Sequence, residues 1–166
     1  MVSYNNGLNT TKDEDYQRRE NIMSNEDTIA KLVSFYGNSS IVPSADQWKK
    51  AFECKAGQTI CMVNFIKLRE QADYPDNENV SGMEAMMRYY EISHQLVEGV
   101  GGEFVASGLF GGILMGDDED WDAIGIVRYP DISAFIKVFL DPTYQECHRH
   151  RVAATLRHRM AILIEG

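Results

Sequence analysis

The stretch Thr59-Ile-Cys-Met-Val-Asn-Phe-Ile-Lys-Leu68 decides the fold. It is β-rich and too apolar for a strand with one wet face, so it predicts a central strand. Asn64 breaks the pattern. It falls on the same side as Met62 and Ile66, where an amide costs free energy unless it is hydrogen-bonded.

Downstream, residues 69–80 carry Tyr74-Pro75-Asp76-Asn77 and predict a loop. Ser81 and Glu84 then open a helix in a capping-box pattern. Its apolar face is Met83, Met86, Tyr89, Tyr90, Ile92, Leu96 and Val97, and the glycines from Gly99 to Gly102 end it. Residues 103–110 and 112–115 are expected as strands meeting at Gly111-Gly112, and residues 121–129 as another. A short helix is expected over 132–140. Asp141-Pro142 begins a long one reaching about His158, because Asp caps and Pro suits a first turn. Residues 160–164 make a last strand. This order is that of a ferredoxin-like split βαβ domain, α+β, with an antiparallel sheet under helices on one face. The other face lacks a helix layer, which predicts a homodimer through the sheet.

Upstream, residues 1–20 are polar and predict a loose arm, with a frayed helix near Tyr16. Ser24 caps a helix carrying Ile29, Leu32, Val33 and Tyr36, and Gly37 stops it. Ser44 and Gln47 open a second, with Trp48, Ala51 and Phe52 on one side. The chain therefore divides into 1–58, an arm and helical extension, and 59–166, the ferredoxin-like domain.

Composition narrows the function classes. Sixteen Lys and Arg against 25 Asp and Glu leave a formal charge of −9. An acidic surface disfavours nucleic acid and anionic membranes as partners. No run approaches the ~20 apolar residues of a membrane span, and the N-terminus does not read as a secretion signal. Cys54, Cys61 and Cys147 are odd in number and lack a C-x-x-C pair, which suits a reducing, cytoplasmic setting.

Several stretches resemble the domain-of-unknown-function 1330 family: Met62-Val-Asn-Phe-Ile-Lys67, Met86 to Tyr90, Gly101-Gly102, Trp121-Asp122, Val127-Arg-Tyr-Pro130, Asp141-Pro-Thr-Tyr144 and, further on, His150-Arg151. The likeness runs over about residues 59–165. It implies the dimeric α+β barrel group, in which ferredoxin-like subunits face each other through their sheets. Relatives in that wider group include cofactor-free monooxygenases, lactone isomerases, haem enzymes and proteins without known chemistry, so the fold alone licenses only analogy.

The candidate chemistry lies in a few residues. Asn64 either orients a ligand or is a satisfied structural amide. Tyr90 and His94, one helical turn apart, suit acid–base work, because an imidazole titrates near neutral pH and a phenol can donate to an oxyanion; the plainer reading is an aromatic face packed on the sheet. Asp122 and Arg128 are in phase and so share a face, as an anion-holding pair or as a strand-end ion pair. On the C-terminal helix Tyr144, His148, Val152 and Thr155 cluster, with Arg151 at their edge and His150 pointing away. Geometry favours His148, and the family resemblance favours Arg151 with Tyr144.

No His spacing suits a metal, no cofactor is expected, and no P-loop, G-x-S-x-G or H-E-x-x-H pattern occurs. These features predict a metal-free small-molecule enzyme. It performs proton transfer or cofactor-independent oxygenation on a compact, partly apolar substrate between sheet and helices. Tyr90 and His94 are its catalytic candidates; Asn64, Asp122, Arg128, Tyr144, His148 and Arg151 are its binding candidates. The alternative is a non-catalytic ligand-binding or structural dimer of the same fold.

Overall fold

Serine and aspartate side chains set where the helices begin. The computed structural model describes residues 24–37 and 39–165, so the expected N-terminal arm lies outside the described residues. Helix α1 (Asn25–Tyr36) starts on Ser24, which accepts from the Asp27 N–H, and ends at Gly37 with φ 71°. Helix α2 (Ala45–Ala51) starts on Ser44 with both halves of the capping box to Gln47 in place. Ser81 opens α3 (Gly82–Gly99), Asp131 opens α4 (Ile132–Leu140), and Asp141 opens α5 (Pro142–Ala154). Each cap satisfies an N–H that the helix leaves without a partner.

The four strands β1 (Ile60–Leu68), β2 (Glu103–Leu109), β3 (Ala123–Tyr129) and β4 (Thr155–Ile164) form one sheet in the order β2-β3-β1-β4. Its pairings are antiparallel, with β1 between β3 and β4. This is the ferredoxin-like α+β arrangement, and the apolar stretch at 59–68 does occupy a central place. The register aligns Met62, Asn64 and Ile66 with Val127, Gly125 and Ala123 on the side facing the helices.

The core lies on that side. Ile60, Met62, Val97, Phe135, Phe139 and Tyr144 pack together, and Leu32 and Trp48 of α1 and α2 join the same cluster. Trp48 meets the Phe139 ring edge to face at 5.3 Å. A second cluster, with Ile66, Tyr74, Met86 and Ala154, closes the other end of the helix layer.

The structure corrects several local expectations. Residues 112–115 are not a strand. They lie in a loop that the Phe110 N–H closes onto the Asp122 carbonyl, and Gly112 and Gly116, both at positive φ, turn the chain away from the sheet. Leu114 and Met115 are consequently exposed. The last helix stops at Ala154, so Thr155 to His158 belong to β4 and pair with β1. Thr155 is β-branched, and after it His158, Met160 and Ile162 alternate with Arg157 and Arg159, a period of two that ends the helix. Val152 is exposed, and Cys147 with Arg151 takes the inner face of α5 instead. Met83, expected on the apolar face of α3, is exposed too.

Candidate functional site

Between the sheet and helices α3 and α5 lies a cavity of about 480 Å³. It exists because β1 and β3 present little bulk beneath α3: Gly125 stands opposite Asn64, with no atom within 4 Å of where its Cβ would sit. Of the residues expected from the sequence, Asn64, Tyr90, His94, Tyr144 and Arg151 line this one cavity. Tyr89, Ser93, Thr155 and His158 line it too.

The polar wall is a chain of hydrogen bonds. Arg151, 5% exposed, donates through Nη2 to the Ile41 carbonyl at 3.0 Å and meets His158 Nδ1. His158 Nε2 faces Asn64 Oδ1 at 3.0 Å. Asn64 Nδ2 donates to the Met62 and Gly125 carbonyls at 3.0 and 3.2 Å, so its amide is occupied by the protein itself. Burial, with the neighbouring Arg151 guanidinium, drives the His158 pKa down to about 2. The ring is therefore neutral, accepts from the guanidinium and donates to Asn64. Beside it, the Tyr89 and Tyr144 hydroxyls are 2.7 Å apart, and burial raises the pKa of both.

At the cavity's other side, His94 stacks flat on Phe104, ring centroids 3.8 Å apart. Glu98 Oε1 lies 3.4 Å from its Nδ1. Tyr90 sits one turn earlier, its pKa also raised by burial, with Arg151 pulling the other way.

Three expected binding residues are elsewhere. Asp122 and Arg128 share a face, but it is the one turned away from the helices. Asp122 accepts from Leu68 N–H and Lys67 Nζ at 2.7 and 3.0 Å. Arg128 pairs with Glu165 and Glu103 at 2.8 and 2.9 Å, which is the strand-end ion-pair reading. The β-strand period put both on the wrong side for the cleft. His148 is buried outside the cavity lining, edge to face with Tyr36 at 4.7 Å. Burial and Arg151 lower its pKa to about 3. The sequence reading missed His158 as a neighbour of Asn64 by placing it on a helix. The signal was its phase with Met160 and Ile162.

A second cavity, about 710 Å³, lies between α2, the residues at 40–43 and β4. Arg151, His158 and Met62 stand in the walls of both. Among the described residues, no cluster of three His, Cys, Asp or Glu side chains is placed to hold a metal ion, and no helix is long and apolar enough to cross a membrane.

Sheet order, helix placement and the cleft beneath α3 define a ferredoxin-like α+β domain with a ligand-sized interior. Residues 76–166 match the model of a family described as a domain of unknown function (DUF1330), and the chain belongs to that family. The match begins after β1, so it leaves out the Met62–Lys67 part of the likeness read from the sequence.

A solved structure of the RPA0582 protein of unknown function from Rhodopseudomonas palustris is 33% identical, over 78% of this chain and 98% of that one, with a TM-score of 0.70. The methylated RPA0582 protein gives 34%, 76%, 94% and 0.71 for the same measures. A dimeric protein of unknown function and ferredoxin-like fold from Bacteroides fragilis is 14% identical, over 64% of this chain and 96% of that one, with a TM-score of 0.43. No curated protein matches.

Proposed function

We propose that the protein takes a compact, partly apolar small molecule into the cleft beneath α3 and α5 and moves a proton on it without a bound metal. What supports this reading is the meeting of Tyr90, His94, Tyr144 and Arg151 around one cavity of ligand size. Tyr90, its pKa raised by burial, enters as a donor to a developing oxyanion. His94 lines the same cavity and is cast as the general base and acid, with Glu98 and Phe104 holding its ring in place. Asn64 and His158 brace Arg151.

The test needs no knowledge of the natural substrate. The protein is incubated in D2O with a panel of compact ketones and 2-oxo acids, and loss of their α-proton signals is followed by NMR. Exchange faster than buffer is expected in the wild type, abolished in His94→Ala and slowed in Tyr90→Phe while the fold survives. If no panel member exchanges faster than in buffer, the catalytic part fails and a ligand-binding module remains.

The molecule acts as a homodimer joined through the outer sheet face. Val63, Phe65, Ile124 and Ile126 are only half-buried there, and no helix among the described residues packs on them. The free thiols, Cys61 and Cys147 buried and Cys54 half-buried, support a reducing, cytoplasmic setting.

A further inference from the structure

We infer that the cleft's ligand is an organic monoanion, a carboxylate on a branched-aliphatic or aromatic body, with the carboxylate held by Arg151. This rests on the small-molecule reading above and names its substrate class.

The inference starts from an unbalanced charge. A guanidinium is always protonated, and a buried charge is costly unless it is paired. Arg151 is 5% exposed, yet among the described residues it enters no salt bridge. Among the described residues its partners are a backbone carbonyl and an imidazole, both neutral, and its Nη1 has no hydrogen-bond partner there. Thr155, 2% exposed and in the same cavity lining, also has an unpartnered hydroxyl. Two buried donors without acceptors among the described residues, both on side chains of residues that line one cavity, are what an oxygen-bearing anion would satisfy.

Charge and shape restrict that anion. Tyr36, Tyr89, Tyr90, Tyr144, His148 and His158 all feel the Arg151 charge, and burial favours the neutral form of each. One positive charge therefore awaits one negative charge. A phosphate dianion would bring a second charge, and Arg151 is the one arginine or lysine among the described residues that line this cavity. The lining also carries Met62, Ile66, Met86, Phe104 and Val127, which would take the ligand's apolar body out of water.

The experiment uses matched pairs, 3-phenylpropanoate against 3-phenylpropanamide and 4-methylpentanoate against its amide, titrated into the full chain by calorimetry and ligand-observed NMR. In the wild type each carboxylate should bind at least about tenfold more tightly than its amide, the size of one charge-assisted hydrogen bond. Arg151→Met should remove that preference, and Gly125→Val, which fills the cavity, should remove binding of both members. The wild-type pair comparison keeps the test decisive even where Arg151→Met does not fold. Carboxylate and amide binding equally would overturn the monoanion assignment and leave the small-molecule site standing. No binding of either member would overturn both.

Discussion

His148 and His158 enter the fold uncharged, and that has a price in acid. Their native pKa values, about 3 and about 2, lie below the ordinary value of 6.5. The unfolded chain therefore takes up protons that the native state refuses. The stability these rings support is complete above pH 6.5 and falls as pH drops below it, by about 1.4 kcal/mol per pH unit for each ring. His150 is shifted in the same direction. Urea unfolding at pH 7.0 and 5.5 should register a loss of roughly 2–3 kcal/mol, before most carboxylates titrate. His148→Gln should remove one ring's share of the slope, and equal stability at the two pH values would contradict the neutral-histidine account. Asn64 was legible beforehand because a lone amide in an apolar strand has few explanations. Its partner was not, because a run of Arg and His reads as a solvated helix until its alternation with Met160 and Ile162 is weighed.

At the scale of elements, the turn between α4 and α5 governs where the cavity wall stands. Asp141 accepts from the Thr143 and Tyr144 N–H groups at 2.7 and 3.3 Å, so the cap that starts α5 also fixes the residue whose hydroxyl meets Tyr89. Asp141→Ala should cost about 1 kcal/mol by chemical denaturation and weaken ligand binding through Tyr144. Thermal stability unchanged within error would mean the cap is redundant. At the start of α3 the constraint is steric. A Cβ on Gly82 would sit 2.2 Å from the Arg69 carbonyl oxygen, and backbone cannot give way as a side chain can. Gly82→Ala should therefore destabilise by about 1–3 kcal/mol, measured as a lowered urea midpoint. Helix starts were readable because caps are local chemistry. The end of α5 and the 112–115 loop were not. Whether an apolar run pairs or turns outward depends on a neighbouring strand that sequence periodicity does not name.

At the scale of the whole molecule, the outer sheet face carries the argument for assembly. Half-buried Val63, Phe65, Ile124 and Ile126 are flanked by ion pairs at both ends. Arg128 with Glu103 and Glu165 lies at one end, and Lys67 with Asp120 and Asp122 at the other. An apolar strip between ends of mixed charge is self-complementary under a two-fold axis, because each end can meet an opposite sign on a second copy. The helix side is different: it buries Leu32, Trp48, Phe135 and Phe139 in the core and leaves Met83, Met87 and Val152 exposed. Ile126→Lys places a charge in the middle of the strip, where a lone buried ammonium is intolerable in a dimer but harmless on an open sheet. Light scattering should give twice the chain mass for the wild type at micromolar concentration and the single-chain mass for Ile126→Lys, with circular dichroism unchanged. A wild type that scatters as a monomer would remove the sheet-mediated dimer. The cavity residues named above all belong to this chain, so ligand titration of that monomer would then report the site directly.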